Sequence, residues 1–176
     1  MDQDNSNEAE WLRSAIERFQ SSLTRYAASL TGDAESARDV VQDTFVRLCG
    51  QKPKQLNGCL AEWLFTVCRH RALDVRRKEG RMTALTEITL KTEAASEPTP
   101  AVNAERKETA AEILQLVARL PRNQQEVVRL KFQGGLSYEE ISRVTKLSVS
   151  NVGFLLHTAI KTLREKMGAM KREGHR

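Results

Sequence analysis

Residues Leu136 to Met167 read LSYEEISRVTKLSVSNVGFLLHTAIKTLREKM. Ser137 stands three residues before Glu140. In that reciprocal arrangement the hydroxyl accepts from a first-turn backbone N–H while the carboxylate accepts from the cap's own N–H. The spacing predicts a short helix with Ile141 and Val144 turned inward, a tight connection through Lys146 and Leu147, a second cap at Ser148, and a longer helix from Val149. At about 100° per residue, Val152, Leu156, Ala159 and Leu163 fall on one side of the longer helix. Ser150, Asn151, Phe154, His157, Thr158 and Lys161 fall on the other. A short capped helix, a turn, and a longer helix with small polar side chains at its exposed start is the layout that places side chains in a DNA major groove. An ordinary helical hairpin with a solvated face has the same period and stays open at this point. Phe154 lies on the presented side, where an apolar ring suits a thymine methyl or a protein partner better than water.

Working back from this stretch, Ile113, Leu114, Leu116, Val117 and Leu120 form an apolar face that Pro121 terminates. Val127, Val128, Leu130 and Phe132 continue on a second helix up to Gly134 and Gly135. Further upstream the prolines are sparse, which predicts four or more helices before residue 82. The first, Glu8 to Leu30, has Trp11, Leu12, Ala15, Ile16, Phe19, Leu23, Tyr26 and Leu30 in one stripe, and Gly32 supplies a left-handed stop. Asp33 caps the next, whose core face is Ala37, Val40, Val41, Phe45 and Leu48, until Gly50. After the loop QKPKQLNGC (51–59), a helix from Leu60 to Arg81 turns Trp63, Leu64, Val67, Cys68 and Leu73 inward. Arg69, Arg71, Arg76, Arg77, Lys78 and Arg81 crowd its second half.

The 176 residues carry 28 Lys and Arg against 23 Asp and Glu, net +5, and only 5% are aromatic. Such a composition favours helices with an aliphatic core over sheets, and a basic excess suits a polyanionic partner. The excess is local: six basic against three acidic residues in 61–82, and fourteen against eight in 105–176. Between these blocks, TALTEITLKTEAASEPTPAVNA (83–104) has five Thr, two Pro and no sustained apolar period. It has no means of forming a core and reads as a linker. Two helical domains follow; a single bundle with a long surface loop is the alternative.

No apolar run reaches the roughly 20 residues that cross a bilayer, and the start, MDQDNSNEAE, is acidic where a signal peptide is basic and then apolar. A cytoplasmic protein without membrane insertion is expected. Cys49, Cys59 and Cys68 do not have metal-ligand spacing and read as reduced thiols. No nucleophile with a matching base, glycine-rich phosphate loop or HExxH pattern is present, so neither enzymatic activity, nor a metal, nor a cofactor is expected.

DAESARDVVQDTFVRL (Asp33–Leu48) and WLFTVCRHRALDVRR (Trp63–Arg77), followed by the helix-turn-helix, together resemble the extracytoplasmic function (ECF) sigma factors, compact two-domain members of the bacterial RNA polymerase sigma family. The resemblance covers nearly the whole chain. It implies an all-α protein with sigma region 2 over 1–82, a linker over 83–104 and sigma region 4 over 105–176. The implied function is binding core RNA polymerase, directing it to promoters and promoting their melting. Core polymerase, through a coiled coil of its largest subunit, and promoter DNA are the implied partners, and an anti-sigma factor is a further one the family admits.

The family's docking pattern, Asp, two free positions, Gln, then Asp or Glu, is matched by Asp39, Gln42 and Asp43. Their spacing puts them on one polar face, opposite Val41, Phe45 and Leu48. The same resemblance assigns minus-10 promoter contacts to Asn57, Trp63, Arg69, His70, Arg71, Arg76 and Arg77. Asn57 belongs to a loop that in the family helps capture a flipped base. Asp74 and Arg77, at helical spacing, pair with each other. Minus-35 contacts fall to Arg143, Lys146, Ser148, Ser150, Asn151, Phe154, His157 and Lys161. Two departures stand out. His70 replaces a usual Asn, and Gly153, Leu155 and Thr158 occupy positions that are commonly basic. Competing readings are a stand-alone helix-turn-helix regulator, and an adaptor or anti-sigma protein that touches polymerase but not DNA; the basic blocks argue against the latter.

Overall fold

Three helices build the N-terminal half: α1 (Asp2–Thr31), α2 (Ala34–Cys49) and α3 (Leu60–Thr83). The computed structural model describes residues 2–83 and 112–173. In α1, Ala15, Phe19, Leu23, Tyr26 and Ala27 are buried along one stripe, while Trp11, Leu12, Ile16 and Leu30 sit half-buried at its margins. The helix begins six residues before the predicted Glu8, because DQDNSN has no apolar period to reveal it. Gly32, at φ +81°, donates its N–H to the Ala28 carbonyl at 2.9 Å and ends the helix as expected.

The Asp33 carboxylate accepts from the Ser36 N–H at 2.6 Å and starts α2. That bond holds its carboxyl below the usual value. Ala37, Val40, Val41, Phe45 and Leu48 all face the core, joined by Thr44, whose hydroxyl donates back to the Val40 carbonyl at 2.8 Å. A single 3-10 turn, Pro53–Gln55, and the buried Leu56 carry the chain to α3. Three α-helices and one short 3-10 helix thus make the four helical elements that begin before residue 82.

The inward face of α3 differs from the predicted one. Leu64, Phe65, Cys68 and Ala72 are fully buried, with the Tyr26 and Phe65 rings edge to face at 5.3 Å, whereas Trp63, Val67 and Leu73 are half-buried. Apolar residues on both sides of this helix left its phase ambiguous; packing against α1 and α2 chooses it.

The second compact unit contains helical backbone over 112–118 (α4), then α5 (Arg122–Phe132), α6 (Tyr138–Thr145) and α7 (Val149–Glu173). Leu116, Val117, Leu120, Val127, Val128 and Leu130 are buried. The Gln125 side-chain amide closes the end of α4, donating to the carbonyls of Leu120 at 2.7 Å and Ala118 at 2.9 Å. Leu114 and Phe132, both predicted to face inward, are exposed. At helical pitch they lie about 160° from Leu116 and about 140° from Val127, beyond the buried arcs. α7 packs against α5 and α6. The described residues contain helices and no strand, and none of their helices is long and apolar enough to cross a membrane. Apart from Thr83, the expected linker lies outside the described residues.

Candidate polymerase and nucleic-acid interfaces

Both halves of the capping box form: the Ser137 hydroxyl accepts from the Glu140 N–H at 3.2 Å, and the Glu140 carboxylate accepts from the Ser137 N–H at 2.6 Å. Ile141 and Val144 are fully buried, which fixes the roll of α6. Lys146 then takes the left-handed conformation, φ 64° and ψ 21°, with its N–H on the Ser142 carbonyl at 2.9 Å. The Ser142 hydroxyl donates to the Leu147 carbonyl across the same bend. Ser148 accepts from the Asn151 N–H at 3.2 Å and starts α7.

Along α7, Val152, Leu156 and Ala159 are buried and Leu163 half-buried. Ser150, Asn151, Phe154, His157 and Lys161 are exposed, and Thr158 is half-exposed. Phe154 keeps 66% of its surface in solvent. Arg143, Lys146 and Ser148 are exposed at the corner leading into this face. The second helix of the motif therefore presents one polar, uncrowded side with cations at both ends. Gly153 belongs to neither the core nor the presented face. It lies beside the Tyr138 ring, which a Cβ at this position would meet at 3.6 Å. The Lys131 ammonium stands 5.5 Å from the centre of the same ring.

In the N-terminal unit, Asp39 and Gln42 are exposed and Asp43 half-buried on the side of α2 facing away from its core residues. Asp43 is not a lone acid: one carboxylate oxygen lies 2.8 Å from Arg71 Nε and 3.6 Å from Arg47 Nη2. Val46, 62% exposed, adds an apolar side chain one turn beyond Gln42 and Asp43. Its phase was readable from the helical period, but no charge pattern drew attention to it. The Asp43–Arg71 pair spans 28 residues and left no local spacing to find.

On α3, Trp63, His70 and Arg77 are seven residues apart and share the side opposite the buried stripe. His70, Arg76 and Arg77 are exposed, Trp63, Arg69 and Arg71 half-buried. Arg77 pairs with Asp74 at 3.5 Å, as the spacing implied. Asn57 is exposed in the turn that follows Leu56, beside Gly58 at φ +81°. The three cysteines are free thiols: Cys49 exposed, Cys59 half-buried and Cys68 buried. Burial pushes the Cys68 thiol up to about 12.

Residues 15–82 match sigma-70 region 2, and residues 110–163 match sigma-70 region 4. The chain is 31% identical over 161 residues to the ECF RNA polymerase sigma factor SigL of Mycobacterium tuberculosis, covering 89% of each chain. It is 28% identical over 160 residues to the RNA polymerase sigma factor YlaC of Bacillus subtilis, covering 89% of this chain and 91% of that one. Solved structures that share its fold include two sigma-factor-like chains in complexes. The sigma factor RpoE of Bartonella quintana, in complex with the anti-sigma factor NepR, matches at a TM-score of 0.69, 22% identity, 89% of this chain and 96% of that one. CnrH, in complex with the cytosolic domain of CnrY, matches at 0.60, 21% identity, and 95% and 94% coverage.

Proposed function

The chain belongs to the extracytoplasmic function sigma factors of the sigma-70 family, which bind core RNA polymerase and direct it to promoters, and from this premise we propose how its residues divide that work. The observation that carries the proposal is the order of two chemically different units in one chain. An acidic helix face next to a basic helix comes first, and a helix-turn-helix whose presented side carries cations only at its two ends follows. A stand-alone helix-turn-helix regulator has no need of the first unit and is not favoured.

Asp39, Gln42 and Asp43, with Val46 beside them, form the surface that docks on a coiled coil of the polymerase's largest subunit. Negative charge around an exposed apolar group suits a basic coiled coil with aliphatic ridges. Trp63, Arg69, His70, Arg71, Arg76 and Arg77 lie along the opened minus-10 strand, where guanidinium groups meet phosphates and base edges and Trp63 offers a stacking surface. Asn57, in the preceding turn, contacts the edge of a base drawn out of the stack. In the second unit Arg143, Lys146, Ser148 and Lys161 hold phosphates, and Ser150, Asn151, Phe154 and His157 face base edges.

The protein catalyses no reaction of its own and works in the cytoplasm, where its polymerase and promoters are. It is regulated by an anti-sigma protein, as a sigma factor of the same fold is seen in complex with one. Its domains are 1–82 and 105–176, joined by 83–104. Run-off transcription from genomic fragments with purified core polymerase tests the assignment: promoter-dependent transcripts appear only when both proteins are present. Duplex binding of equal strength with and without core enzyme would favour the stand-alone regulator.

A further inference from the structure

We propose that Phe154 determines promoter specificity by reading a thymine through its C5-methyl group in the upstream element. The inference rests on the sigma-factor reading above and names the base chemistry that its recognition helix takes.

Phe154 is 66% exposed in the middle of the presented face of α7. Its neighbours one turn away on that face, Ser150, Asn151, His157 and Thr158, are all polar. The ring stands alone among uncharged polar side chains, a single apolar contact rather than an apolar patch. At the two ends of the face are the exposed cations Lys146 and Lys161, placed to reach phosphates on either side of a groove.

The charge pattern narrows the base. From Val149 to Ile160 there is no Lys or Arg. Guanine shows two acceptors in the major groove and is met most often by a cation, whereas thymine shows one acceptor and a methyl group, the only apolar feature of any base edge there. A helix that presents a phenyl ring and no cation along its first three turns is matched to the methyl. The ring is held in place by backbone alone: Ser148 caps the helix start and Val152 and Leu156, two residues either side of Phe154, are buried. Phe154 is therefore presented at a fixed height and needs no rearrangement to make contact.

The test replaces each thymine of the upstream element, one at a time, by deoxyuridine, which removes the methyl and keeps every hydrogen-bonding group. Transcription is measured with holoenzyme containing the wild-type protein or Phe154→Ala. At one position the wild type should lose about fourfold in promoter affinity, the factor that corresponds to one methyl-sized group returned to water. Phe154→Ala should show a similar loss on the unmodified promoter and no further loss on deoxyuridine. Its melting temperature should match the wild type, since the ring is exposed. A wild type indifferent to every replacement overturns the proposal, and so does a deoxyuridine penalty that persists undiminished in Phe154→Ala. Absence of any wild-type transcript on the unmodified promoter would instead overturn the sigma-factor reading itself, and this proposal with it.

Discussion

Asp43 on α2 and Arg71 on α3 are joined by a 2.8 Å ion pair, so one carboxylate of the proposed docking face is held by one guanidinium of the helix proposed to meet promoter DNA. Both side chains are about a third exposed, and a pair of that kind contributes at most about 1 kcal/mol to stability. Its weight is positional. Arg47 leans on the same oxygen at 3.6 Å, so whatever approaches the acidic face meets a carboxylate already shared with two cations, while Asp39 on the same face is exposed.

The two acids should therefore respond differently to charge reversal. Asp39→Lys should leave the melting temperature within error and lower core-polymerase affinity. Asp43→Lys should lower both, because it places a third cation beside Arg47 and Arg71. Fluorescence-anisotropy titration with core enzyme, alongside thermal unfolding, separates them; normal affinity in both variants would remove the docking assignment.

In the second unit, function and stability should separate by helix face. Asn151→Ala should keep the fold and change upstream-element preference, with a lost bidentate base contact costing roughly 1 to 3 kcal/mol. Leu156→Ala empties a site that is 1% exposed and should cost about 2 to 5 kcal/mol of stability, weakening every promoter alike. Thermal melts and transcription from a randomised upstream element read the two effects independently.

Gly153→Ala should stabilise the protein by about 1 kcal/mol, the difference in helix propensity. The added methyl would meet the Tyr138 ring at 3.6 Å, an ordinary van der Waals contact. A fall in melting temperature would show that the ring needs the space.

The cysteines give a pH signature. Cys49 should react with an aromatic disulfide reagent at once, Cys59 more slowly, and Cys68 only when the chain unfolds. The ordinary Cys68 value of 9.0 rises to about 12 in the folded protein. Below about pH 9 the thiol is protonated in both states and stability is unaffected. Between 9 and 12 the unfolded chain ionises and the folded one does not, so stability falls as pH rises. Cys68→Ser should flatten that part of the stability profile.

The separately expressed segments 1–82 and 105–176 should each give a cooperative, helical melt, which circular dichroism reads directly. A segment that stays unfolded would contradict the proposed boundaries.

Local chemistry was legible in the sequence wherever it repeats at short range. Gly32, the Asp33 cap, the Ser137–Glu140 box, the Ser148 cap and the two faces of α7 all depend on neighbours within about four residues. What could not be read depends on what packs against a helix. WLFTVC offers apolar groups all round, so only α1 and α2 decide that Phe65 rather than Trp63 is buried. Phe132 ends α5 outside the buried arc, which a list of apolar residues cannot distinguish from one inside it. The candidate sites behaved in the same way: exposure along α7 followed from pitch, while the Arg71–Asp43 pair needed two helices brought together.

The corner between α6 and α7 is fixed by the Ser137–Glu140 exchange, the left-handed Lys146, the Ser142 hydroxyl and the Ser148 cap, and none of these is a side chain in the middle of the presented face. On the proposed assignment of base contacts, positions 150, 151, 154 and 157 are thus interchangeable parts on a rigid mount. An engineer or natural selection could exchange them together without disturbing the scaffold, and the protein would acquire a different set of target genes while keeping the same polymerase.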